Sequence, residues 1–279
     1  MGYLNKAQGI STAPENKLHL LHGFTGSGKT TIAGTYPKPM LVIEIDTDGG
    51  SQVLKKYSDT EVKRISIGRN DRPFYKTMLD ILNEIETDTH YKTVLIDPYS
   101  AIQDILVEHK EAAKGSKLNK QEWGEIGIQM TVLRNKVAKL SQGDRYMVLS
   151  LHTKSVEDND TYVGDSFDSN YPKLTKNNAN NLMEMCEAVI YCTKKVFKNE
   201  DGSTEVGYVG YIGQFPTVRT KFRVYKTTIN SGFYVRDLTF DKIKAIAEGE
   251  DYAQYKATNV VEVEKKEENE KEVSEDDTK

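Results

Sequence analysis

The chain has 279 residues, 37% of them apolar and 29% charged, with a formal net charge of −4. That length suits one large domain or two small ones, and no stretch approaches the ~20 consecutive apolar residues of a membrane helix. Cys186, Cys192 and the five histidines make no metal or redox spacing, which excludes a disulfide framework and a zinc-ribbon type of site.

The opening MGYLNKAQGISTAPENK lacks the apolar segment of a secretory signal. Lys6 stands where a myristoylation pattern needs Ser or Thr. Residues 1–17 read as a lead-in. LHLLH (Leu18 to His22) is a short buried strand, followed by GFTGSGKT and a helix from Lys29 that Pro37 stops. MLVIEID (Met40 to Asp46) is a continuous apolar run, as expected of a strand covered on both faces. Val62 to Ile67 is another strand, and Pro73 to Glu86 a helix with Met78, Leu79, Leu82 and Ile85 on one side.

TVLID (Thr93 to Asp97) and YMVLSL (Tyr146 to Leu151) are further buried strands. Helices are predicted over Ser100 to Ala113 and Glu122 to Leu140, and an irregular polar loop over 153–177. A helix follows over Asn178 to Glu187. Ala188 to Phe197, the turn NEDGS and Glu205 to Ile212 read as a hairpin. A second β segment is placed over Phe222 to Val235. Strand and helix alternate through the first two-thirds, which argues for a mainly parallel sheet with helices on both faces. The last third reads as an antiparallel extension of that sheet. From Val260 on there are nine acids and four lysines and no aromatic residue. This acidic tail cannot bury enough surface to order itself, so 18–250 is taken as the folded body and 251–279 as a disordered tail.

GFTGSGKT fits G-x-x-x-x-G-K-[ST] without a mismatch, a pattern expected by chance in roughly one chain in a hundred of this length. The flanking strand and helix are the context it requires. Gly23, Gly26 and Gly28 let backbone N–H groups turn inward as an anion nest. The loop residues Phe24, Thr25 and Ser27 and the helix start at Lys29, Thr30 and Thr31 complete the phosphate site. Lys29 is placed to reach the β- and γ-phosphates and Thr30 to offer its hydroxyl to Mg²⁺, with Asp97, at the tip of a buried strand, as the metal's second protein partner. Asp97 also suits the N-cap of the next helix. Asp48 is the candidate for orienting the attacking water, with Asp46 and Glu44 behind it.

GFTGSGKTTIAGTYPKPMLVIEIDTDGGS, TVLIDPYSAI and YMVLSLHTKS together resemble a phage-encoded branch of the RecA-like P-loop ATPases, AAA-type ATP-binding proteins associated with DNA recombination and single-strand annealing. The resemblance spans roughly residues 18 to 240. It implies a RecA-like core that binds ATP and Mg²⁺ and hydrolyses ATP. Asp48 then stands where such proteins carry a catalytic glutamate, one methylene longer. His152 stands where they carry a polar sensor of the γ-phosphate, with the following loop, 153–177, facing DNA. Lys221 and Arg223 resemble K-x-R fingers that reach a neighbouring subunit's phosphates, with Arg219 as the alternative. The implied partners are single-stranded DNA, further copies of the chain with ATP at their interfaces, and a single-strand-binding or other recombination protein. The implied location is the cytoplasm of an infected bacterium.

The residues themselves indicate DNA only locally. Lys110, Lys114, Lys117 and Lys120 precede Trp123, the one tryptophan. Cations along a backbone path and a flat side chain for bases are what single-strand binding uses. Lys154, Tyr162, Phe167, Tyr171, Lys173 and Lys176 in the 153–177 loop are interleaved with five acids. Two other functions fit the same motifs: a small-molecule or nucleotide kinase, and a nucleotide-gated binding module with negligible turnover.

Overall fold

A computed structural model describes residues 16–46, 50–155, 170–215, 218–225, 229, 231–250, 252–257 and 260–261. Asp48, most of the 153–177 loop and the acidic tail beyond Val261 lie outside the described residues.

Five parallel strands are laid down first: β1 (Leu18–Gly23), β2 (Met40–Ile45), β3 (Val62–Ile67), β4 (Thr93–Asp97) and β5 (Tyr146–Ser155). Each apolar run quoted above becomes one of them. All of β1, β2 and β4 is buried, as continuous apolar runs require when helices cover both faces. Between them lie α1 (Lys29–Ala33), α2 (Phe74–Thr87), α3 (Ser100–Lys114) and α4 (Lys120–Leu140). α4 opens on a capping box: Asn119 accepts from the Glu122 amide, and Glu122 accepts from the Asn119 amide.

The second half adds β6 (Asn170–Pro172), α5 (Lys176–Met185), β7 (Ala188–Lys198), β8 (Thr204–Ile212), β9 (Lys221–Phe222), β10 (Phe233–Arg236), α6 (Phe240–Ala247) and β11 (Val260–Val261). The sheet runs β10-β8-β7-β1-β5-β4-β2-β3. β7 joins β1 in parallel, and β8 and β10 then fold back antiparallel. The fold is the α/β arrangement expected of a RecA-like P-loop core: a mostly parallel sheet with an antiparallel extension.

Three of the segments assigned from the sequence differ in the structure. Phe222 to Val235 is not one β segment. Lys221–Phe222 pairs with β7 and Phe233–Arg236 with β8, so its two ends lie on different strands. The ends of the 153–177 loop form a ribbon, Thr153 to Ser155 against Asn170 to Pro172. At the start of the tail, Val260–Val261 pairs with β7.

The alternation along each strand sorts the core into two layers. Leu18, Leu20, Val94, Ile96, Met147, Leu149 and Leu151 face α2, α3, α4 and α5. Leu21, Val42, Leu95 and Val148 face α1 and α6. By the same parity Glu44, Asp97, Ser150 and His152 point to the α1 side, at or near the carboxyl edge of the sheet.

Candidate functional site

The loop between β1 and α1 is bent by glycines whose replacement the structure forbids. Gly28, the N-cap of α1, has φ 89°, a left-handed conformation that L side chains rarely adopt. A Cβ there would also lie 2.9 Å from the Tyr208 ring. At Gly23 a Cβ would sit 2.2 Å from the Cys192 carbonyl oxygen, so β7 and the loop approach each other as only glycine allows. A cavity of about 270 Å³ opens above this bend. Residues 25–31 form one wall, and Gly50, Val53, Asp97, Pro98, His152 and Tyr208 complete it.

Lys29 is buried, at 7% exposure, and its ammonium donates to the carbonyls of Gly23 (2.9 Å) and Phe24 (3.0 Å). Gly23 and Phe24 thus act through their backbones, behind the cavity. Burial holds the Lys29 pKa below its ordinary value, and nearby Asp97 opposes that shift. Thr30 Oγ1 donates to Asp97 Oδ2 at 2.6 Å. The structure therefore joins the hydroxyl of the P-loop helix to the carboxylate at the tip of β4, two groups 67 positions apart in sequence. Ser27 Oγ is buried with no hydrogen-bond partner among the described residues, a donor left over within the anion nest.

These residues fit a magnesium–triphosphate group. Mg²⁺ needs few protein ligands and keeps phosphate oxygens and waters in its shell, so a threonine hydroxyl beside one carboxylate suffices.

His152 lies on the cavity wall, with its amide donating to Ser100 Oγ at 3.1 Å. Burial, and then Lys29, lowers its pKa, which favours the neutral imidazole. The two acids placed behind Asp48 are both engaged. Glu44, 2% exposed, accepts from the Ser51 amide (2.9 Å) and Arg64 Nη1 (3.0 Å). It thereby fastens the turn at residues 50–54 that carries Gly50 and Val53 to the cavity. Asp46, at φ 58°, accepts from Arg69 Nε at 2.7 Å, and Arg69 also pairs with Glu108.

Lys221 and Arg223 are not brought to this cavity. Lys221 pairs with Val189, which lies beside Leu20. Arg223 donates its amide to Glu187, at the level of Leu18, roughly 16 Å down the strand from Gly23 at a ~3.3 Å rise per residue. At this amino edge Lys221 Nζ donates to the carbonyls of Glu184 (2.7 Å) and Met183 (3.3 Å), and Arg223 pairs with Glu187 at 3.0 Å. Arg219 is nearer the site. Its carbonyl accepts from His22 Nε2 at 2.7 Å, while His22 Nδ1 meets Thr153 Oγ1 at 2.9 Å. The strand leading into the P-loop is thereby tied to the end of β5.

The basic stretch before Trp123 is largely offset by acids. Lys110 pairs with Glu125, Lys114 with Glu122 at 2.7 Å and Lys117 with Glu111 at 2.9 Å. Trp123 is 41% exposed. Lys173 pairs with Asp104 at 2.9 Å.

Sequence reading missed Tyr208. It occupies an exposed position of β8 between buried Gly207 and Val209, a pattern any half-buried strand carries. Only the β8–β7–β1 order brings it to the loop.

A family model described as an AAA domain (AAA_24) matches residues 15–237. No curated protein matches the chain in sequence. Among solved structures, an ATPase from the type III secretion system of pathogenic bacteria aligns at 12% identity and TM-score 0.45. That alignment covers 63% of this chain and 50% of the ATPase. The RadB recombinase aligns at 13% identity and TM-score 0.41, covering 80% and 88%. The flagellar accessory protein FlaH from Methanocaldococcus jannaschii aligns at 7% identity and TM-score 0.37, covering 79% and 84%. The chain spans half the length of the secretion ATPase.

Proposed function

The chain belongs to the AAA domain family, and we propose that it is a magnesium-dependent ATPase whose nucleotide state governs its binding of single-stranded DNA in phage recombination or annealing. The observation that carries the nucleotide half is the 2.6 Å bond between Thr30 and Asp97 at the floor of a cavity walled by the P-loop. A sequence motif and a separate strand tip meet there, where a metal-bound triphosphate requires both.

In this reading the backbone amides of residues 25–31 and the start of α1 hold the phosphates. The Lys29 ammonium exchanges its two loop carbonyls for phosphate oxygens. Thr30 and Asp97 would hold Mg²⁺, which when bound neutralises phosphate charge and aligns the β- and γ-oxygens. Asp48, three residues past the end of β2, is proposed to orient the attacking water. His152, on the cavity wall with its neutral form favoured, is proposed to sense the γ-phosphate by hydrogen bonding. Because β5 continues from His152 into residues 153–155, a small shift of its tip reaches the segment proposed to face DNA.

Further copies of the chain are proposed to close the nucleotide between them, with Lys221 or Arg223 lent across the interface. Each must first leave its partner in its own copy, the carbonyls at the end of α5 or the Glu187 carboxylate. The proposed setting is cytoplasmic.

Phosphate release, measured with and without single-stranded DNA, tests the proposal. Stimulation by DNA is expected. Transfer of phosphate to a small acceptor makes the protein a kinase instead, and tight nucleotide binding without turnover makes it a nucleotide-gated module.

A further inference from the structure

We infer that Tyr208 carries the nucleobase, and that the site takes purine nucleoside triphosphates as a class, with little distinction between adenine and guanine. The inference rests on the reading of the P-loop as a triphosphate site and assigns the other end of the ligand.

The sheet order divides the cavity. Asp97 on β4 and His152 on β5 lie to one side of β1, and Tyr208 on β8 lies to the other. The Thr30–Asp97 pair fixes the first side as the metal and γ-phosphate end. A triphosphate lying along residues 25–31 therefore presents its nucleoside to the second side, where Tyr208 lines the cavity.

Tyr208 is the one Phe, Tyr or Trp side chain lining this cavity among the described residues. It packs so closely on Gly28 that no side chain fits beneath it, yet it remains 43% exposed. Large aromatic side chains are usually more buried than that. The Lys194 ammonium stands 5.2 Å from the ring centroid, so the ring already serves as a platform for a group of opposite polarity to its π-face. Lys194 is exposed, and a base can displace it without breaking an ion pair among the described residues.

Stacking on a phenol ring scales with the area of the base and ignores its exocyclic groups. Of the described lining residues the sheet order places Tyr208 on the second side, and the hydrogen-bonding side-chain atom it offers is its hydroxyl. No amide or carboxylate, the groups that read a purine edge, lines that side among the described residues.

The test is a titration of the magnesium complexes of ATP, GTP and CTP, and of inorganic tripolyphosphate, against wild type, Tyr208→Ala, Tyr208→Phe and Lys29→Ala. Tyr208→Ala is expected to weaken ATP and GTP equally, by roughly ten- to a hundredfold, and to leave tripolyphosphate affinity unchanged. Tyr208→Phe should retain wild-type affinity, and CTP should bind wild type more weakly than either purine. The fluorescence of 2-aminopurine riboside triphosphate should be quenched on wild type and stay bright on Tyr208→Ala. The inference is overturned if Tyr208→Ala binds ATP as wild type does, or if wild type prefers ATP to GTP by more than tenfold. If Lys29→Ala leaves tripolyphosphate affinity unchanged, the triphosphate reading itself falls, which is a separate outcome.

Discussion

The two edges of the parallel sheet use the same kinds of charged residue for opposite ends. At the carboxyl edge, among the described residues, the Lys29 ammonium is held by two loop carbonyls, Ser27 Oγ has no hydrogen-bond partner, and Asp97 Oδ2 meets the Thr30 hydroxyl. At the amino edge the charges are consumed by the fold. Arg145 donates to the carbonyls of Ile85, in the last turn of α2, and of Asp88 and Tyr91 just past its end. Lys221 donates to those of Met183 and Glu184 at the end of α5. Glu187 takes both Arg223 and the Tyr225 hydroxyl. The reason lies in the direction of the helices. In strand–helix alternation helix C-termini, with their unsatisfied carbonyls and negative partial charge, gather at the amino edge, while N-termini gather at the other. A cation is a cap at one edge and, in the proposed function, a phosphate ligand at the other.

The largest effect should fall at the carboxyl edge. Lys29→Ala is expected to weaken ATP binding about a thousandfold, or about 4 kcal/mol, in a fluorescent-nucleotide titration. The thermal midpoint of the nucleotide-free protein should barely move. An unchanged dissociation constant would erase the contrast between the edges.

Histidines on β1 sharpen the comparison, because burial sets their charge whichever edge they face. His19 and His22 are buried and their pKa values fall from 6.5 to about 4, with burial the largest cause for each. Between those values the unfolded chain takes up protons that the folded chain does not. Stability is therefore full above pH 6.5 and is lost as pH falls toward 4, by about 3 kcal/mol for each imidazole. Urea midpoints at pH 7 and pH 4.5 measure this, and His22→Gln should flatten the difference.

A cap without chemistry comes next. Arg145→Ala should cost about 2 kcal/mol of stability through its lost carbonyl contacts, read by denaturant midpoint. Phosphate release per folded molecule should stay as in wild type. A turnover defect at unchanged stability would mean that the amino edge also takes part in the reaction.

Much of this contrast was legible in the sequence, though unevenly. The buried strands announce themselves as LHLLH, MLVIEID, TVLID and YMVLSL, since a strand covered on both faces needs apolar residues at every position. The P-loop is equally plain, because its glycines and Lys29 act within eight consecutive residues. The rest depends on partners far away in sequence. Lys221 and Arg223 look like a K-x-R finger until antiparallel pairing with β7 sets them beside the ends of α5 and β7. Tyr208 looks like any exposed strand residue until β7 carries β8 alongside the loop. The helix at Phe240–Ala247 was missed despite a local signal, Thr239 as N-cap with Phe240, Ile243 and Ile246 on one face.

The smallest expected effect bears hardest on the partition between edges. Arg223 is about half exposed on its side chain, whereas Glu187 is 6% exposed. Arg223→Ala leaves that carboxylate with the Tyr225 hydroxyl, a loss of about 1 kcal/mol once solvent screening of the exposed arginine is allowed for. If a neighbouring copy lends Arg223 to the nucleotide, turnover should also fall about tenfold, or about 1.4 kcal/mol, with ATP affinity unchanged. Mixing separates a shared site from a weakened fold. Arg223→Ala and Lys29→Ala subunits, each deficient alone, should recover activity together, because one keeps an intact P-loop and the other an intact arginine. Recovery would make Arg223 the amino-edge cation that serves chemistry after leaving its structural partner. Without recovery, and with turnover intact in Arg223→Ala alone, Arg223 belongs with Arg145 as a residue of the fold.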